Sequence, residues 1–259
     1  MVILLLGGTS ESSLIADLLE RKGLPFILSV ASNLGLMRFK KYEKTLHAGV
    51  LDFHGLLEFV QKNGIKLIID ATHPFAKNAS ENAIRAAQVL NIPYIRFERP
   101  RDELKNPLII EAIDLEAALR ELPQLGKRPL ITVGVKMLPE IIRKSAVLGQ
   151  KPVVKVLPLT DNFTLLDDLG VPPEDRLSFW GPGSRELISQ LIKFYSLTGL
   201  LTKESGGLGG EREKVESFLS QSLPVILIKR PVVFYPQLVS TLDRLEEILK
   251  LEAEKWKKQ

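Results

Sequence analysis

The sequence begins with an apolar run, Val2–Leu6, that leads directly into Gly7-Gly8-Thr9-Ser10-Glu11 and an amphipathic segment. A buried strand, a glycine turn and a helix N-terminus in this order bring unpaired backbone N–H groups and the positive end of a helix dipole to one point. This order predicts a phosphate site and hence a bound nucleotide. The paired glycines match only part of the G-x-G-x-x-G fingerprint, so the motif alone also fits a tight strand-to-helix turn without a ligand.

Short apolar runs and amphipathic segments alternate along the rest of the chain. Strands are predicted at residues 26–30, 67–70, 92–97, 108–110, 130–133, 153–156, 200–202 and 225–228. Helices are predicted at residues 12–21, 56–61, 78–90, 115–122, 138–146, 186–195 and 211–219. Strands separated by helices pair in parallel through right-handed crossovers. The sequence therefore predicts an α/β protein with two doubly wound parallel-sheet units that face a central cleft.

The length of the chain favours two domains, because 259 residues exceed the typical domain size of about 100–150. Residues 99–107 combine prolines with a run of charges, which opposes regular structure. We place an N-terminal nucleotide-binding domain at residues 1–98 and a C-terminal domain at residues 99–259. A last helix is predicted at residues 237–256, and the sequence leaves open whether it or a strand packs on the other domain.

Composition excludes several classes of function. The chain has no cysteine, which removes disulfides, thiolate metal sites and cysteine nucleophiles. Its three histidines, His47, His54 and His73, lack metal-ligand spacing on one helix, so we expect no metal. The net charge of +4 comes from interspersed charges, which suits a polyanionic small molecule better than nucleic acid. No long uncharged apolar stretch or signal peptide is recognisable, so we expect a cytoplasmic protein without a membrane partner.

Unusual residues follow several of the predicted strands, where ligands bind in parallel sheets. The strand at 67–70 leads into Asp70-Ala71-Thr72-His73-Pro74-Phe75-Ala76, and the strand at 200–202 into Thr202-Lys203-Glu204-Ser205-Gly206-Gly207. Gly134 follows the strand at 130–133, and Gly181-Pro182-Gly183-Ser184 follows Phe179-Trp180. We therefore expect these loops to carry the function.

The glycine turn, the segment at 70–76 and the segment at 202–207 occur in the order and spacing of the precorrin-6A reductases, which the sequence resembles. That family contains NAD(P)H-dependent enzymes of cobalamin (vitamin B12) ring synthesis. Glu98-Arg99-Pro100 and Lys229-Arg230-Pro231 are also similar to the family, so the resemblance extends from the first strand to Pro231. The sequence departs from the family at Glu204, where asparagine is most common, and in its continuation Gly209-Gly210-Glu211.

The resemblance implies a reductase that delivers hydride from a nicotinamide to a polycarboxylated tetrapyrrole, precorrin-6A or its cobalt complex. It also implies two Rossmann-like domains with the macrocycle in the cleft. The second strand ends without the acid that would hold the ribose hydroxyls of NAD, and Ser32, Asn33 and Arg38 could receive a 2′-phosphate instead. We therefore expect NADPH, with NADH as the alternative. The expected cofactor-binding residues are Gly7, Gly8, Thr9, Ser10, Glu11, Ser32, Asn33, Arg38, Asp70 and Thr72.

The substrate-binding residues implied by the resemblance lie in the loops of both halves. They are His73, Pro74, Phe75, Gly134, Lys203, Ser205, Gly206 and Gly207. Pro74 restricts His73 to an extended conformation that would aim the imidazole at ligand, and His73 is the candidate catalytic proton donor. Lys203 and Ser205 with the two glycines would receive an anion, either a macrocycle carboxylate or a cofactor phosphate.

Other function classes share parts of this pattern. The sequence disfavours a short-chain dehydrogenase, because none of Tyr42, Tyr94, Tyr195 and Tyr235 is followed by lysine four residues later. A non-enzymatic nucleotide sensor and a sugar-nucleotide-dependent transferase would keep two α/β halves without nicotinamide chemistry, and both stay open as alternatives. The sequence is compatible with a monomer or a small homo-oligomer.

Overall fold

The computed structural model describes residues 2–31, 33–101, 104–206 and 210–257. Two compact units make up the chain. Unit 1 comprises Met1–Pro100 together with Val232–Gln259, and unit 2 comprises Arg101–Pro231. The assignment of all of residues 99–259 to a second domain was therefore wrong for the C-terminal segment, which returns to unit 1 after residue 231.

Unit 1 is a parallel sheet flanked by helices. Its described strands are β1 (Val2–Leu6), β2 (Phe26–Val30), β3 (Leu46–Ala48), β4 (Ile65–Asp70), β5 (Tyr94–Phe97) and β12 (Leu238–Val239). Its described helices are α1 (Ser10–Arg21), α2 (Asn33–Arg38), α3 (Phe53–Lys62), α4 (Lys77–Val89) and α10 (Leu242–Lys257), with a 3₁₀ turn at Lys40–Thr45. β1 is apolar along its whole length because helices cover both faces of the sheet.

Unit 2 repeats this architecture. Its described strands are β6 (Ile109–Ala112), β7 (Pro129–Ile131), β8 (Val153–Val156), β9 (Arg176–Ser178), β10 (Gly199–Lys203) and β11 (Val225–Ile228). Its described helices are α5 (Leu115–Glu121), α6 (Leu138–Val147), α7 (Thr160–Asp168), α8 (Arg185–Tyr195) and α9 (Glu211–Leu219). Short 3₁₀ turns lie at Leu122–Leu125, Val135–Met137 and Pro173–Asp175. The prediction of doubly wound parallel α/β sheets is confirmed for each unit.

The two sheets have the same spatial plan. In unit 1 the order is β12-β5-β4-β1-β2-β3, which is the 3-2-1-4-5-6 order of dinucleotide-binding sheets. In unit 2 the order is β6-β11-β10-β7-β8-β9, so β7, β8, β9, β10 and β11 occupy the first five positions of that plan. The direction of winding reverses between β1 and β4 in one sheet and between β7 and β10 in the other. These two places are the switch points of the sheets.

The sixth position of each sheet is filled by the connection between the units. The chain that leaves β5 forms β6 beside β11 in unit 2, and the chain that leaves β11 returns to form β12 beside β5. β12 is part of the region predicted as one helix at 237–256, and that prediction was wrong at its start because α10 begins at Leu242. Leu245, Ile248 and Leu249 of α10 are buried in the unit 1 core, which explains why this segment belongs there.

No helix within the described ranges has the length and apolar character needed to cross a membrane.

Candidate functional site

The glycine turn lies at the unit 1 switch point, beside the carboxyl end of β4. Thr9 is the N-cap of α1, and its Oγ1 accepts a hydrogen bond from Ser12 N–H at 3.2 Å. The same hydroxyl donates to the carbonyl of Ala71 at 2.8 Å, so it ties the turn after β1 to the loop after β4. The N–H groups of Gly8 and Thr9 both donate to Ser12 Oγ, at 3.1 and 3.0 Å. The amides of Ser10 and Glu11 have no acceptor within the helix by α-helical geometry, and these donors suit an anion.

The two glycines of the turn serve different purposes. A Cβ on Gly7 would lie 2.6 Å from Leu28 Cδ1, so Gly7 is required by packing against β2. Gly8 has φ +116°, a conformation that side chains disfavour, and a Cβ built on it would meet no atom within 4 Å. The space in front of Gly8 is therefore open, as close approach of a ligand to the backbone requires.

Two arginines lie beside the first turn of α1. Arg38 Nη2 donates to Ser10 Oγ at 2.8 Å, which places this exposed cation next to the candidate phosphate site. Arg99 Nη1 pairs with the buried carboxylate of Glu11 at 2.5 Å. Ser32 lies outside the described residues, and of Asn33 only the backbone, at the start of α2, is described. The structure thus places Arg38 at the glycine turn. The predicted roles of Ser32 and Asn33 fall on side chains outside the described part of the chain.

Asp70 is the last residue of β4, and its side chain is 0% exposed. Its Oδ1 accepts from Thr72 N–H, Thr72 Oγ1 and Arg96 Nη1 at 2.9, 2.7 and 2.9 Å. Its Oδ2 accepts from Ser80 Oγ at 2.6 Å and Tyr94 OH at 2.7 Å. Burial alone would raise the pKa of the Asp70 carboxyl, but Arg96 and these donors outweigh it and hold the pKa below its usual value. Asp70 therefore positions Thr72 and the loop that follows, and geometry favours this over direct contact with a cofactor.

Arg96 connects Asp70 to the C-terminal segment of unit 1. Its guanidinium also contacts Glu98, with Nε and Nη2 at 3.0 and 2.9 Å from Oε2. It lies over the ring of Tyr235, 5.2 Å from the ring centroid. The network fixes the carboxyl ends of β4 and β5, where a small cavity is lined by Thr9, Glu11, Ala71, Thr72, Pro74, Arg96, Phe97, Glu98 and Arg99.

The loop at 73–76 presents His73 at the surface while Pro74 is buried. Phe75 N–H donates to His73 Nδ1 at 3.2 Å, and Ala76 N–H donates to the His73 carbonyl at 2.7 Å. Because Nδ1 accepts, the neutral ring carries its proton on Nε2. Phe75 is half-buried, with its ring 5.8 Å from the imidazole. His73 thus has an N–H donor that the loop itself orients.

The predicted residues of unit 2 lie at the carboxyl ends of β7 and β10. Gly134 is exposed just after β7, and Lys203 is the last residue of β10. Burial and the nearby Lys136 lower the pKa of Lys203 to about 8. Gly206 N–H donates to Glu211 Oε2 at 2.7 Å, so the carboxylate of α9's first residue holds the loop. Ser205 is half-buried in this loop, and Gly207 lies outside the described residues.

Glu204, where the sequence departs from the related family, has a defined structural role. Its side chain is buried, with Oε2 accepting from Arg230 N–H at 3.0 Å and Oε1 paired with Lys229 at 2.8 Å. Arg230 Nε donates back to the Glu204 carbonyl at 3.2 Å. Glu204 therefore joins the end of β10 to the end of β11, and its carboxylate is compensated by the ammonium of Lys229 and the backbone N–H of Arg230.

Sequence reasoning missed Lys214 of α9. Its Nζ donates to Thr202 Oγ1 at 3.1 Å and to Thr132 Oγ1 at 3.5 Å, which places it at the unit 2 switch point. The sequence does contain an indication, since Lys214 lies at helical spacing from Val215 and Phe218 and so shares the apolar face of α9. In the structure Glu211, Val215 and Phe218 are all buried on this face. A lysine on a buried stripe indicates a functional or strongly compensated charge.

Among the described residues, no group of three or more histidine, aspartate and glutamate side chains could hold a metal ion.

Known proteins resemble this chain along nearly its whole length. The family model of the Precorrin-6x reductase CbiJ/CobK matches residues 2–251. The chain is 31% identical to a cobalt-precorrin-6A reductase of Priestia megaterium over 249 residues, which cover 96% of this chain and 98% of the relative. It is 34% identical to that of Methanocaldococcus jannaschii over 246 residues, 95% and 96% of the two chains. The solved structure of CobK precorrin-6A reductase is similar with a TM-score of 0.77, 27% identity and 96% coverage of both chains.

Proposed function

The chain belongs to the precorrin-6x reductase CbiJ/CobK family of cobalamin-biosynthetic oxidoreductases, and we propose that it reduces the precorrin-6A macrocycle with NADPH. The cobalt complex is the favoured form of the substrate, since the relatives of 31% and 34% identity are both named cobalt-precorrin-6A reductase. The observation that carries the proposal is the glycine turn at the unit 1 switch point, which has the position and open space that a dinucleotide needs.

Unit 1 is the proposed cofactor-binding unit. The pyrophosphate would lie over Gly8 and accept from the amides of Ser10 and Glu11 at the N-terminus of α1. Arg38, hydrogen-bonded to Ser10, would face the 2′-phosphate of NADPH and select it over NADH. Thr9 and Asp70 would support the cofactor site without contacting the cofactor. Thr9 Oγ1 donates to the Ala71 carbonyl, and Asp70 accepts from Thr72, so the two residues position the loop after β4.

Unit 2 is the proposed contributor of charge for the tetrapyrrole. A macrocycle with several carboxylates requires cations, and Lys203 and Lys214 lie at the end of β10 and beside it. Gly134, which is exposed, would leave room for the macrocycle edge. The partial burial of Lys203 strengthens its interaction with an anion, since charges attract more strongly when removed from water.

The bound nicotinamide would supply a hydride, and one proton must reach the macrocycle for each hydride transferred. His73 is the proposed donor of that proton, because Phe75 N–H donates to Nδ1 and the proton of the neutral ring is therefore on Nε2. For His73→Ala we expect kcat to fall about 100-fold with KM nearly unchanged. Steady-state kinetics with His54→Ala as the control would test this. A loss confined to KM would assign His73 to substrate binding alone.

The experiment that tests the function is anaerobic turnover of precorrin-6A and its cobalt complex with NADPH and with NADH. We expect one NADPH oxidised for each macrocycle reduced, and faster reaction with NADPH than with NADH. A fluorescence titration with NADPH gives an independent measurement of cofactor binding. Absence of binding up to millimolar NADPH would overturn the proposed reductase function and favour the nucleotide sensor or the sugar-nucleotide-dependent transferase.

A further inference from the structure

Lys214 reaches the switch point of the unit 2 sheet from α9. Its Nζ contacts the hydroxyls of Thr132 and Thr202, which come from the two strand ends that flank the reversal of winding. Ligands of doubly wound sheets bind in the crevice at this place. Lys214 is 8% exposed, so it is buried at the switch point and does not extend into solvent.

Among the described residues, no carboxylate forms an ion pair with this ammonium within 4.0 Å. Both hydrogen-bond partners of Lys214 Nζ in that part of the chain are threonine hydroxyls. Burying a cation without a counter-ion is costly, and folded proteins keep such an arrangement where a ligand supplies the missing charge. The contacts leave one of the three ammonium donors for that ligand.

Other basic groups surround the same crevice. Burial and the neighbouring Lys155 lower the pKa of Lys214 to about 8, while Glu211 and Glu213 act against this from α9. Lys155 extends from β8, and its Nζ donates to the Gly181 carbonyl at 2.9 Å. Lys203 and Lys136 are a second pair of lysines that interact by charge at the ends of β10 and β7. Two pairs of lysines therefore lie near the carboxyl ends of the unit 2 strands.

The N-terminus of α9 would otherwise suit a phosphate, but a carboxylate of the protein lies at this helix end. Glu211 is 0% exposed, and its Oε2 accepts from Gly206 N–H at 2.7 Å. A phosphate group at this helix end would meet that carboxylate, and two negative groups would repel each other. The remaining crevice suits an anion of single charge that pairs with Lys214.

We propose that Lys214, Thr132 and Thr202 form a subsite that binds one carboxylate of the tetrapyrrole substrate. The ammonium supplies the counter-charge, and both threonine hydroxyls accept from it and so orient it. The Thr132 hydroxyl donates to the Leu201 carbonyl, so the Thr202 hydroxyl is the one that donates to the second carboxylate oxygen. The subsite rests on the proposed function for the identity of its ligand. It assigns binding of the macrocycle, and not of the cofactor phosphates, to the unit 2 switch point.

The test compares Lys214→Met with the matched control Lys193→Met, which removes an exposed lysine of α8. For Lys214→Met we expect KM for cobalt-precorrin-6A to rise about 10-fold or more, with a smaller change in kcat and an unchanged Kd for NADPH. For Lys193→Met all three should stay at the level of the unmodified protein. Thr202→Val, which keeps the lysine, should raise KM about 3-fold.

A binding readout separates this proposal from the proposed function. The probe is uroporphyrin, a macrocycle with eight carboxylates, titrated by fluorescence quenching into the full chain and both lysine variants. Weaker binding to Lys214→Met alone supports the subsite even if NADPH-dependent reduction is absent, in which case only the reductase assignment fails. Equal uroporphyrin affinity and KM in Lys214→Met and Lys193→Met would overturn the subsite while turnover upholds the reductase. A weaker Kd for NADPH in Lys214→Met with unchanged KM for the macrocycle would also overturn it.

Discussion

The switch points of the two sheets share a strand order but differ in how they treat buried charge. In unit 1 the buried carboxylate of Asp70 is saturated by five hydrogen bonds, one of them from Arg96, so the protein itself completes that network. In unit 2 the buried ammonium of Lys214 contacts only hydroxyls among its described partners. The same strand order thus carries a buried charge with a complete set of partners at one switch point and, at the other, a buried charge with no ion pair among the described residues.

This difference shows that the strand order determines where a ligand can bind, whereas the residues at the strand ends determine which ligand binds. The strand order brings the ends of β1 and β4, or of β7 and β10, together and leaves a crevice between them. At the first crevice, glycines and helix amides offer N–H groups, which suit phosphate. At the second, lysines offer full charges, which suit carboxylates. The comparison also predicts opposite effects on stability when either buried charge is removed.

The largest expected effect is that of Asp70→Ala. The change leaves Arg96 buried at 1% exposure with Glu98 as its remaining acidic partner, and it deprives Ser80 and Tyr94 of their acceptor. Breaking a buried ion pair costs about 3–5 kcal/mol, so the thermal midpoint should fall by roughly 10 °C. Thermal unfolding followed by circular dichroism measures this. Asp168→Ala, at an exposed aspartate of α7, is the control, and equal midpoints for the two variants would contradict a completed network.

The next effect concerns the glycine turn. Gly8→Val should weaken NADPH binding about 100-fold, because the side chain enters the open space where the pyrophosphate would lie. Gly23→Val is a matched control, since Gly23 also has positive φ (+62°) and open space but lies at the end of α1. Both variants place a side chain at a positive φ, and a thermal unfolding measurement of each beside the fluorescence titration separates backbone strain from the ligand effect. Equal loss of affinity in both would place the cofactor elsewhere.

Removal of the uncompensated lysine should stabilise the ligand-free protein. The folded-state pKa of Lys214 is about 8, below the ordinary lysine value of 10.5, so the charged form is disfavoured by folding. Below pH 8 this cost is fully present, and Lys214→Met should raise the thermal midpoint by about 2–6 °C at pH 7. Between pH 8 and 10.5 the unfolded protein binds more protons, so the stability of the unmodified protein rises and the difference shrinks. A difference that grows with pH, or a destabilised variant, would show that Lys214 is already compensated.

The sequence predicted regular elements and motifs well where local pattern determines them. α9 at 211–219 and β11 at 225–228 lie where the periodicity placed them, and the family resemblance seen in three motifs is confirmed. β3, β9 and β12 were missed because strands of two or three residues are too short to show the alternation of apolar and polar residues. The exchange of sixth strands was beyond prediction, since local pattern does not say which sheet an apolar run joins.

The candidate site was predicted unevenly for a related reason. The glycine turn is a local signal, because strand, glycines and cap are consecutive in sequence. Asp70 was selected by its motif, but its saturation by Ser80, Tyr94 and Arg96 depends on elements far along the chain. Lys214 was overlooked because a lysine in a helix is usually solvated, and only the packing of α9 against β10 buries it.

The smallest expected effect tests the cofactor preference assigned to unit 1. Arg38→Ala should weaken NADPH binding about 5-fold and leave NADH binding unchanged, because an exposed cation contributes about 1 kcal/mol to a phosphate contact and NADH lacks the 2′-phosphate. Arg21→Ala, at an exposed arginine in the last turn of α1, controls for the loss of general positive charge. The contrast should shrink at high salt, since exposed charges are screened. Equal weakening of NADPH and NADH by Arg38→Ala would instead mean that Arg38 acts through Ser10 on the pyrophosphate they share, so that unit 1 recognises phosphate only at its helix N-terminus.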